Sequence, residues 1–325
     1  MNVSVNSKNE ILKIEDLRKT FRLGSSFFQG GGEVHAVAGV SFHIGRGESF
    51  GLVGESGCGK TTLGRTVIRL LKPDGGKIVF DGVDITAMSE REVRPMRKRM
   101  QVIFQDPYSS LNPRMRVESI VGEGLLVHGL TDKRGLREAV AQVLSRVGLS
   151  SDSMYRYPHE FSGGQRQRIC IARAISLGPE LIVADEPLSA MDVSIQAQIL
   201  NLLMDIRDDL DVSYLFISHD LRVVNLICSR VAVMYLGKIV EVGDKEKIFQ
   251  DPRHPYTKAL IEAIPQALSG KKGKKIFLPG DLPSPFTPPP GCSFHTRCPI
   301  AESLCERDEP TLREVEGRMV SCHFA

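Results

Sequence analysis

The chain has 325 residues, 42% of them hydrophobic, and a net charge of only +3. That length allows two domains, or one large domain with an appendix, and supplies enough apolar residues for a sizeable core. The small charge gives no argument for nucleic acid, and no run of about 18 apolar residues is available to cross a bilayer as a helix. Met1 to Glu10 is polar and lacks a signal-peptide apolar core, so the expectation is a protein that stays in the cytoplasm.

In chain order, residues 11–23 read as a first strand and turn. A loop with Gly24, Gly30, Gly31 and Gly32 follows, then short strands around 34–38 and 41–44. Phe50-Gly51-Leu52-Val53 is an apolar run leading into Gly54-Glu55-Ser56-Gly57-Cys58-Gly59-Lys60-Thr61-Thr62, and 61–71 reads as a helix. Strand, Gly-rich loop and helix in that order are the setting in which backbone N–H groups wrap phosphate oxygens and the helix adds its positive end. Lys60 is expected to reach the β- and γ-phosphates of ATP and the Thr61 hydroxyl to bind Mg²⁺. Cys58 fills a variable loop position and reads as a bystander rather than a redox sensor.

Residues 77–85 form a hairpin candidate with Asp81-Gly82 at its turn. Residues 112–175 are helical in pattern and contain Phe161-Ser162-Gly163-Gly164-Gln165. A buried-strand run at 181–184 ends on Asp185-Glu186. An adjacent acidic pair is ordinarily a solvated strand end; the apolar run before it and Pro187 after it favour chemistry. Asp185 is then the Mg²⁺ carboxylate and Glu186 the general base for an attacking water. A further strand is expected at 214–217 and a closing hairpin at 231–242, with Gly237 at the turn. Alternating strands and helices imply an α/β fold with a mostly parallel sheet and helices on both faces, interrupted by a helical insertion at about 105–175.

After about residue 250 the composition changes. Pro279, Pro283, Pro285, Pro288, Pro289 and Pro290 make a stiff, extended stretch, and Lys271-Lys272-Gly273-Lys274-Lys275 reads as an exposed basic loop. Four of the seven cysteines, Cys292, Cys298, Cys305 and Cys322, lie in the last 34 residues with spacing C-x5-C-x6-C-x16-C. A reducing compartment disfavours disulfides, and the tight C-x2–4-C pairs of structural zinc sites are missing. A [4Fe–4S] cluster, zinc and unliganded thiols all remain open; His295 and His323 are possible substitute ligands.

Phe161-Ser162-Gly163-Gly164-Gln165 closely resembles the LSGGQ signature of ATP-binding-cassette (ABC) ATPases. Together with the phosphate loop and Leu181-Ile182-Val183-Ala184-Asp185-Glu186, the resemblance covers about residues 11–245. It implies a P-loop NTPase cassette: a RecA-like core, an antiparallel β subdomain and the helical insertion. It further implies that Ser162, Gly163, Gly164 and Gln165 meet the ATP held by a partner cassette. Gln105, in Val102-Ile103-Phe104-Gln105-Asp106, is similar to the Q-loop glutamine that touches Mg²⁺ or water and senses the membrane partner. His219, in Ile217-Ser218-His219-Asp220, is similar to the switch histidine at the γ-phosphate. Ser189-Ala190-Met191-Asp192 resembles the D-loop, and Phe21 is a candidate for stacking on adenine.

Arg253-His254-Pro255-Tyr256-Thr257-Lys258-Ala259-Leu260 resembles the His-Pro-Tyr segment of oligopeptide/dipeptide importer ATPases. Gly291-Cys292-Ser293-Phe294-His295-Thr296-Arg297-Cys298-Pro299 resembles the C-terminal region of that family, and Tyr157-Pro158-His159-Glu160 also fits. The resemblance implies a cassette over 1–250 and a C-terminal domain over 251–325. It implies a [4Fe–4S] cluster at the four cysteines, with zinc second. The implied partners are a second, D-type ATPase subunit, this chain being the F-type member of the pair, two transmembrane permease subunits, and an extracytoplasmic solute-binding protein. The place is the cytoplasmic face of the inner membrane, as a peripheral subunit, and nucleic acid is not expected as a partner. The alternatives are a soluble non-transport ABC ATPase, or an importer of nickel or another small solute.

Overall fold

A computed structural model describes residues 9–22, 32–189, 191–264 and 282–325. Gly24, Gly30, Gly31, Ala190, the basic loop at 271–275 and Pro279 lie outside the described residues. The first elements are β1 (Glu10–Arg22), β2 (Glu33–Gly45), β3 (Ser49–Val53), α1 (Lys60–Val67), β4 (Gly75–Phe80) and β5 (Val83–Asp84). Next come α2 (Glu90–Met96), β6 (Met100–Ile103), α3 (Pro107–Ser110), α4 (Val117–Val127), α5 (Leu136–Arg146), α6 (Gly163–Ile175), β7 (Leu181–Asp185), α7 (Val193–Leu210) and β8 (Ser213–Ser218). The chain continues through α8 (Leu221–Ile227), β9 (Arg230–Tyr235), β10 (Lys238–Asp244), α9 (Lys245–Gln250), α10 (Pro255–Glu262), α11 (Ser303–Arg307), β11 (Arg313–Val315) and β12 (Arg318–Val320). None of the described helices is long and apolar enough to cross a membrane.

These elements divide between two compact units. The first holds Ile44–Glu48, the described residues of Ala87–Ile217, and those up to Ile11. Within it β6, β7 and β8 pair in parallel, Ile103 opposite Ala184 and Asp185 opposite Ile217. Every residue of β7 is buried, the continuous apolar run expected of a strand covered on both faces. The helical insertion packs closely: a Cβ on Gly122 of α4 would lie 2.6 Å from the Leu136 side chain of α5.

The second unit holds Ser49–Thr86 and the described parts of Leu12–His43 and Ser218–Ala325. One sheet runs β2-β1-β4-β5, with Leu12 opposite Phe80 and Ile14 opposite Ile78. In the other, β3 pairs in parallel with β9, and β9 pairs antiparallel with β10. Both expected hairpins form, for one reason. Asp81 and Gly82 have φ of 49° and 76°, and Leu236 and Gly237 have 42° and 80°, the paired positive values of a tight turn that matches strand twist.

Two strands expected separately at 34–38 and 41–44 are one strand, β2. Gly39 takes φ 85° within it, and glycine accepts that bend without ending the strand. The first helix stops at Val67 rather than continuing to 71. Buried Arg69 adopts φ 58° and turns its Nε to donate to the Ile85 carbonyl at 2.9 Å. The tail contains a hairpin that the sequence did not announce. β11 and β12 are only three residues each, joined by Glu316 and Gly317 at φ 51° and 75°. β12 extends the second sheet, Glu241 of β10 standing opposite Val320.

Fully buried Glu241 fastens the start of α10, accepting from the Arg253 and His254 N–H groups at 2.9 Å each. His254 is the helix N-cap, its Nδ1 accepting from the Tyr256 N–H at 3.1 Å. Burial pushes the His254 ring down to about 3, only partly opposed by its hydrogen bond with the Ser321 backbone. A folded-state value below the ordinary 6.5 means that the unfolded chain binds the proton more readily. This contribution to stability is therefore complete above about pH 6.5 and is lost as pH falls toward 3. Thermal melts of His254→Asn, which can still cap the helix, should show a flatter acid limb than wild type between pH 7 and 5. Identical acid limbs would show that this ring does not titrate on unfolding.

Candidate ATPase site

The second unit carries the phosphate-binding loop. β3 is wholly buried and delivers the chain into Gly54, with α1 beginning at Lys60. Gly54, Gly57 and Gly59 have φ of 155°, 83° and 108°. A Cβ on Gly54 would lie 2.2 Å from the Met234 carbonyl oxygen, and one on Gly59 2.1 Å from that of Ala36. Those two positions require glycine for space as well as for torsion. Ser56 is exposed, whereas Thr61 and Thr62 are half-buried on the first turn of α1.

Lys60 is 4% exposed, and its Nζ donates to the Gly54 and Glu55 carbonyls at 2.8 Å each. The charge that would meet phosphate is thus stored inside the cradle rather than in solvent. Cys58 is buried, and burial pushes its thiol up despite neighbouring Lys60. It is a packed thiol and not a reactive thiolate.

Phe21 is 39% exposed near the end of β1, with Lys19 Nζ 5.6 Å from its ring centre. His219 is exposed between β8 and α8. The next residue, Asp220, caps α8 by accepting from the Arg222 N–H at 2.9 Å.

The first unit carries the acidic pair. Asp185 is 3% exposed at the end of β7. Glu186 has φ 48°, an uncommon left-handed conformation for a residue with a side chain. Its N–H donates to the Ile217 carbonyl at 2.9 Å. Gln105 Nε2 donates to its carboxylate at 2.9 Å. Ser189 Oγ donates to the Glu186 carbonyl at 2.9 Å and to that of Gln105 at 3.2 Å. The glutamine and the acid, 81 positions apart, therefore meet directly.

The signature motif occupies the N-terminus of α6. Ser162 Oγ accepts from the Gln165 N–H at 3.4 Å, and Gln165 Oε1 accepts from the Ser162 N–H at 3.0 Å, a reciprocal capping box. Ser162 and Gln165 are exposed and Gly163 is half-buried. Gly164 is buried: a Cβ there would lie 2.7 Å from the Ile195 side chain of α7. Its glycine is thus required by helix packing, a constraint invisible in the motif itself.

Two residues without an assigned role in the sequence touch the phosphate loop. The Glu55 N–H donates to Tyr256 Oη at 2.9 Å. The Glu55 carboxylate accepts a two-pronged contact from Arg297, at 2.7 and 3.0 Å. They stand 201 and 242 positions away along the chain, so no local spacing could have paired them.

None of the cysteines is disulfide-bonded. Cys305 and Cys322 are buried, and Cys292 and Cys298 are half-buried. The Cys292 N–H donates to the Cys305 carbonyl at 2.8 Å. Burial pushes the Cys298 thiol up to about 11, with Cys322, Cys292 and Cys305 adding to the shift. Burial also raises Cys292, again with Cys305 and Cys322 contributing. Among the described residues, however, no three His, Cys, Asp or Glu side chains are grouped so as to hold a metal ion. His295 Nδ1 and His323 Nε2 each lie 2.9 Å from a backbone carbonyl, of Cys292 and Asp308 respectively.

Comparison with known proteins places these features. The ABC transporter family matches residues 37–189, and the oligopeptide/dipeptide transporter C-terminal region matches residues 240–305. The oligopeptide transport ATP-binding protein AppF of Bacillus subtilis (strain 168) is 50% identical over 323 residues, 98% of each chain. The dipeptide transport ATP-binding protein DppF of Escherichia coli (strain K12) is 45% identical over 312 residues, 96% of this chain and 93% of its own. Among solved structures, the dimeric cassette MJ0796 bound to ADP and Pi has a TM-score of 0.65 at 24% identity, covering 72% of this chain and 98% of that one, a likeness of fold. The cbiO1 protein from Clostridium perfringens, part of the ABC transporter complex cbiONQ, has a TM-score of 0.63 at 29% identity, over 75% of this chain and 92% of its own. The fold is that of a P-loop ABC cassette with a RecA-like core, and the chain belongs to the ATP-binding subunits of the oligopeptide/dipeptide ABC transporters, ATPases coupled to transport and distinct from the rotary F-type enzymes.

Proposed function

We propose that this chain is the F-type member of a D/F pair of cassettes that powers import of di- or oligopeptides. Its place is the cytoplasmic face of the inner membrane, with two permease subunits and an extracytoplasmic binding protein. The observation that carries this proposal is the joining, in one chain, of a complete ABC motif set to the oligopeptide/dipeptide C-terminal region at residues 240–305. The F-type designation is supported by the AppF and DppF relatives.

The roles follow from the chemistry of each group. Backbone N–H groups of the loop from Gly54 to Gly59, other than those of Glu55 and Cys58 that donate within the protein, bind the ATP phosphates together with the Lys60 ammonium. Thr61 and Asp185 would each offer an oxygen ligand to Mg²⁺, and Phe21 would offer a face to adenine. Glu186 accepts a proton from the attacking water; Gln105, hydrogen-bonded to it, orients its carboxylate and reports on the metal or water. His219 contacts the γ-phosphate. Ser162, Gly163, Gly164 and Gln165 present the positive end of α6 to the ATP of the partner cassette. ATP binding closes the cassettes, and hydrolysis with phosphate release reopens them.

Glu186→Gln removes the base while leaving every phosphate contact in place. Its turnover in the assembled transporter should fall by at least about 100-fold, the usual scale of a general base, while ATP binding is retained. Near-wild-type turnover would reject Glu186 as the base. Ser162→Arg should bind ATP normally as the isolated chain and yet fail to support hydrolysis in the complex, since the signature acts across the pair. Lost ATP binding by the isolated variant would contradict that assignment.

For the tail, we propose a structural [4Fe–4S] cluster held by Cys292, Cys298, Cys305 and Cys322, with zinc the second choice. The support is the donor set, four thiols in the last 34 residues and no disulfide, although in this structure they are not grouped to hold a metal. When bound, such a cluster would clamp the tail and deprotonate these thiols. Protein purified anaerobically from iron-replete cells should be brown and contain about four irons per chain. Stoichiometric zinc without iron would transfer the assignment to zinc, and neither metal would remove it.

A further inference from the structure

We infer that Tyr256 and Arg297 are positioning residues for ATP binding, holding the phosphate loop in its binding form through Glu55. The inference rests on residues 54–62 being that loop. Glu55 has three polar handles and each has a fixed partner. Its carbonyl accepts from Lys60 Nζ at 2.8 Å, its N–H donates to Tyr256 Oη at 2.9 Å, and its carboxylate is forked by Arg297 at 2.7 and 3.0 Å. Lys60 belongs to the loop. The other two partners come from the last third of the chain.

Neither partner is a casual surface contact. The Tyr256 ring is fully buried and sits edge-on to Tyr235, with centroids 4.7 Å apart, and 5.4 Å from buried Phe294. The Arg297 side chain is 6% exposed and that of Glu55 28% exposed. A two-pronged guanidinium–carboxylate contact fixes orientation as well as distance.

Two consequences for ATP follow. First, a carboxylate beside a polyanion cradle repels the ligand, and Arg297 neutralises it where it stands. Second, the Glu55 carbonyl is one of the two that hold Lys60. A Glu55 backbone that rotates would misplace the ammonium as well as its own N–H. Burial raises the Tyr256 phenol well above its ordinary value, so its hydroxyl stays neutral and available to the Glu55 N–H across the working pH range. The region after residue 250 thereby sets nucleotide affinity without touching nucleotide.

The test measures MgATP hydrolysis by the assembled transporter. Arg297→Met should raise KM about tenfold, the loss expected for uncoupling a partly buried ion pair, with kcat at saturating MgATP kept within about twofold. Removing the stranded charge as well, in Glu55→Gln/Arg297→Met, should recover KM only in part, because the repulsion is gone while the loop still lacks its clamp. Tyr256→Phe, which deletes one acceptor, should raise KM about threefold. A lowered melting temperature with unchanged KM, or a double variant restored to the wild-type KM, would overturn the inference. If Arg297→Met does not accumulate as folded protein, Arg297→Lys decides in its place: a KM rise of about threefold at constant kcat supports positioning, and an unchanged KM overturns it. Lys60→Ala tests the underlying assignment separately, because wild-type MgATP binding by that variant would mean that 54–62 is not the phosphate loop.

Discussion

The nucleotide chemistry depends on how closely the chain passes itself at Gly54 and Gly59. The carbonyls of Met234 and Ala36 occupy the space that a side chain at those positions would need, at 2.2 and 2.1 Å. Met234 lies in β9, paired with β3, and Ala36 lies in β2, so neither can withdraw without breaking sheet structure. With both side chains excluded, the loop closes tightly and Lys60 folds back over two of its carbonyls. A preformed cradle spends little binding energy on ordering the loop.

The acidic pair shows the same economy in the other unit. Glu186 sits in a left-handed conformation that costs on the order of 1–3 kcal/mol and survives only where its surroundings over-determine it. Here the surroundings are the Ile217 carbonyl, Ser189 and Gln105. The direct contact between Gln105 and Glu186 gives a physical route by which movement near Gln105 can change the orientation of the proposed base. The sequence offers both residues, 81 positions apart, but not their hydrogen bond.

What was legible in the sequence was local. The glycine-rich loop between β3 and α1, the buried run of β7 and the two hairpins, with Asp81-Gly82 and with Gly237 at their turns, each rest on neighbours within a few residues, where turn chemistry and hydropathy act. What was hidden depends on distant packing. Gly39 lets β2 continue through a bend that resembled a strand boundary, and Gly164 is a signature glycine whose side chain is also excluded by Ile195. The β11–β12 hairpin is too short for periodicity to reveal. Tyr256 and Arg297 were visible only as parts of the family's tail motifs; their shared target, Glu55, emerges only when the chain is folded.

ATP hydrolysis by this subunit drives peptide entry. The direct measurement places the chain in vesicles with the proposed partner cassette, permease subunits and binding protein, and follows hydrolysis and labelled peptide together. ATP hydrolysis that rises on adding peptide-loaded binding protein, with peptide accumulating only when MgATP is present, is the predicted result. Hydrolysis indifferent to peptide, with no peptide accumulation while nickel or another small solute is taken up, would contradict it.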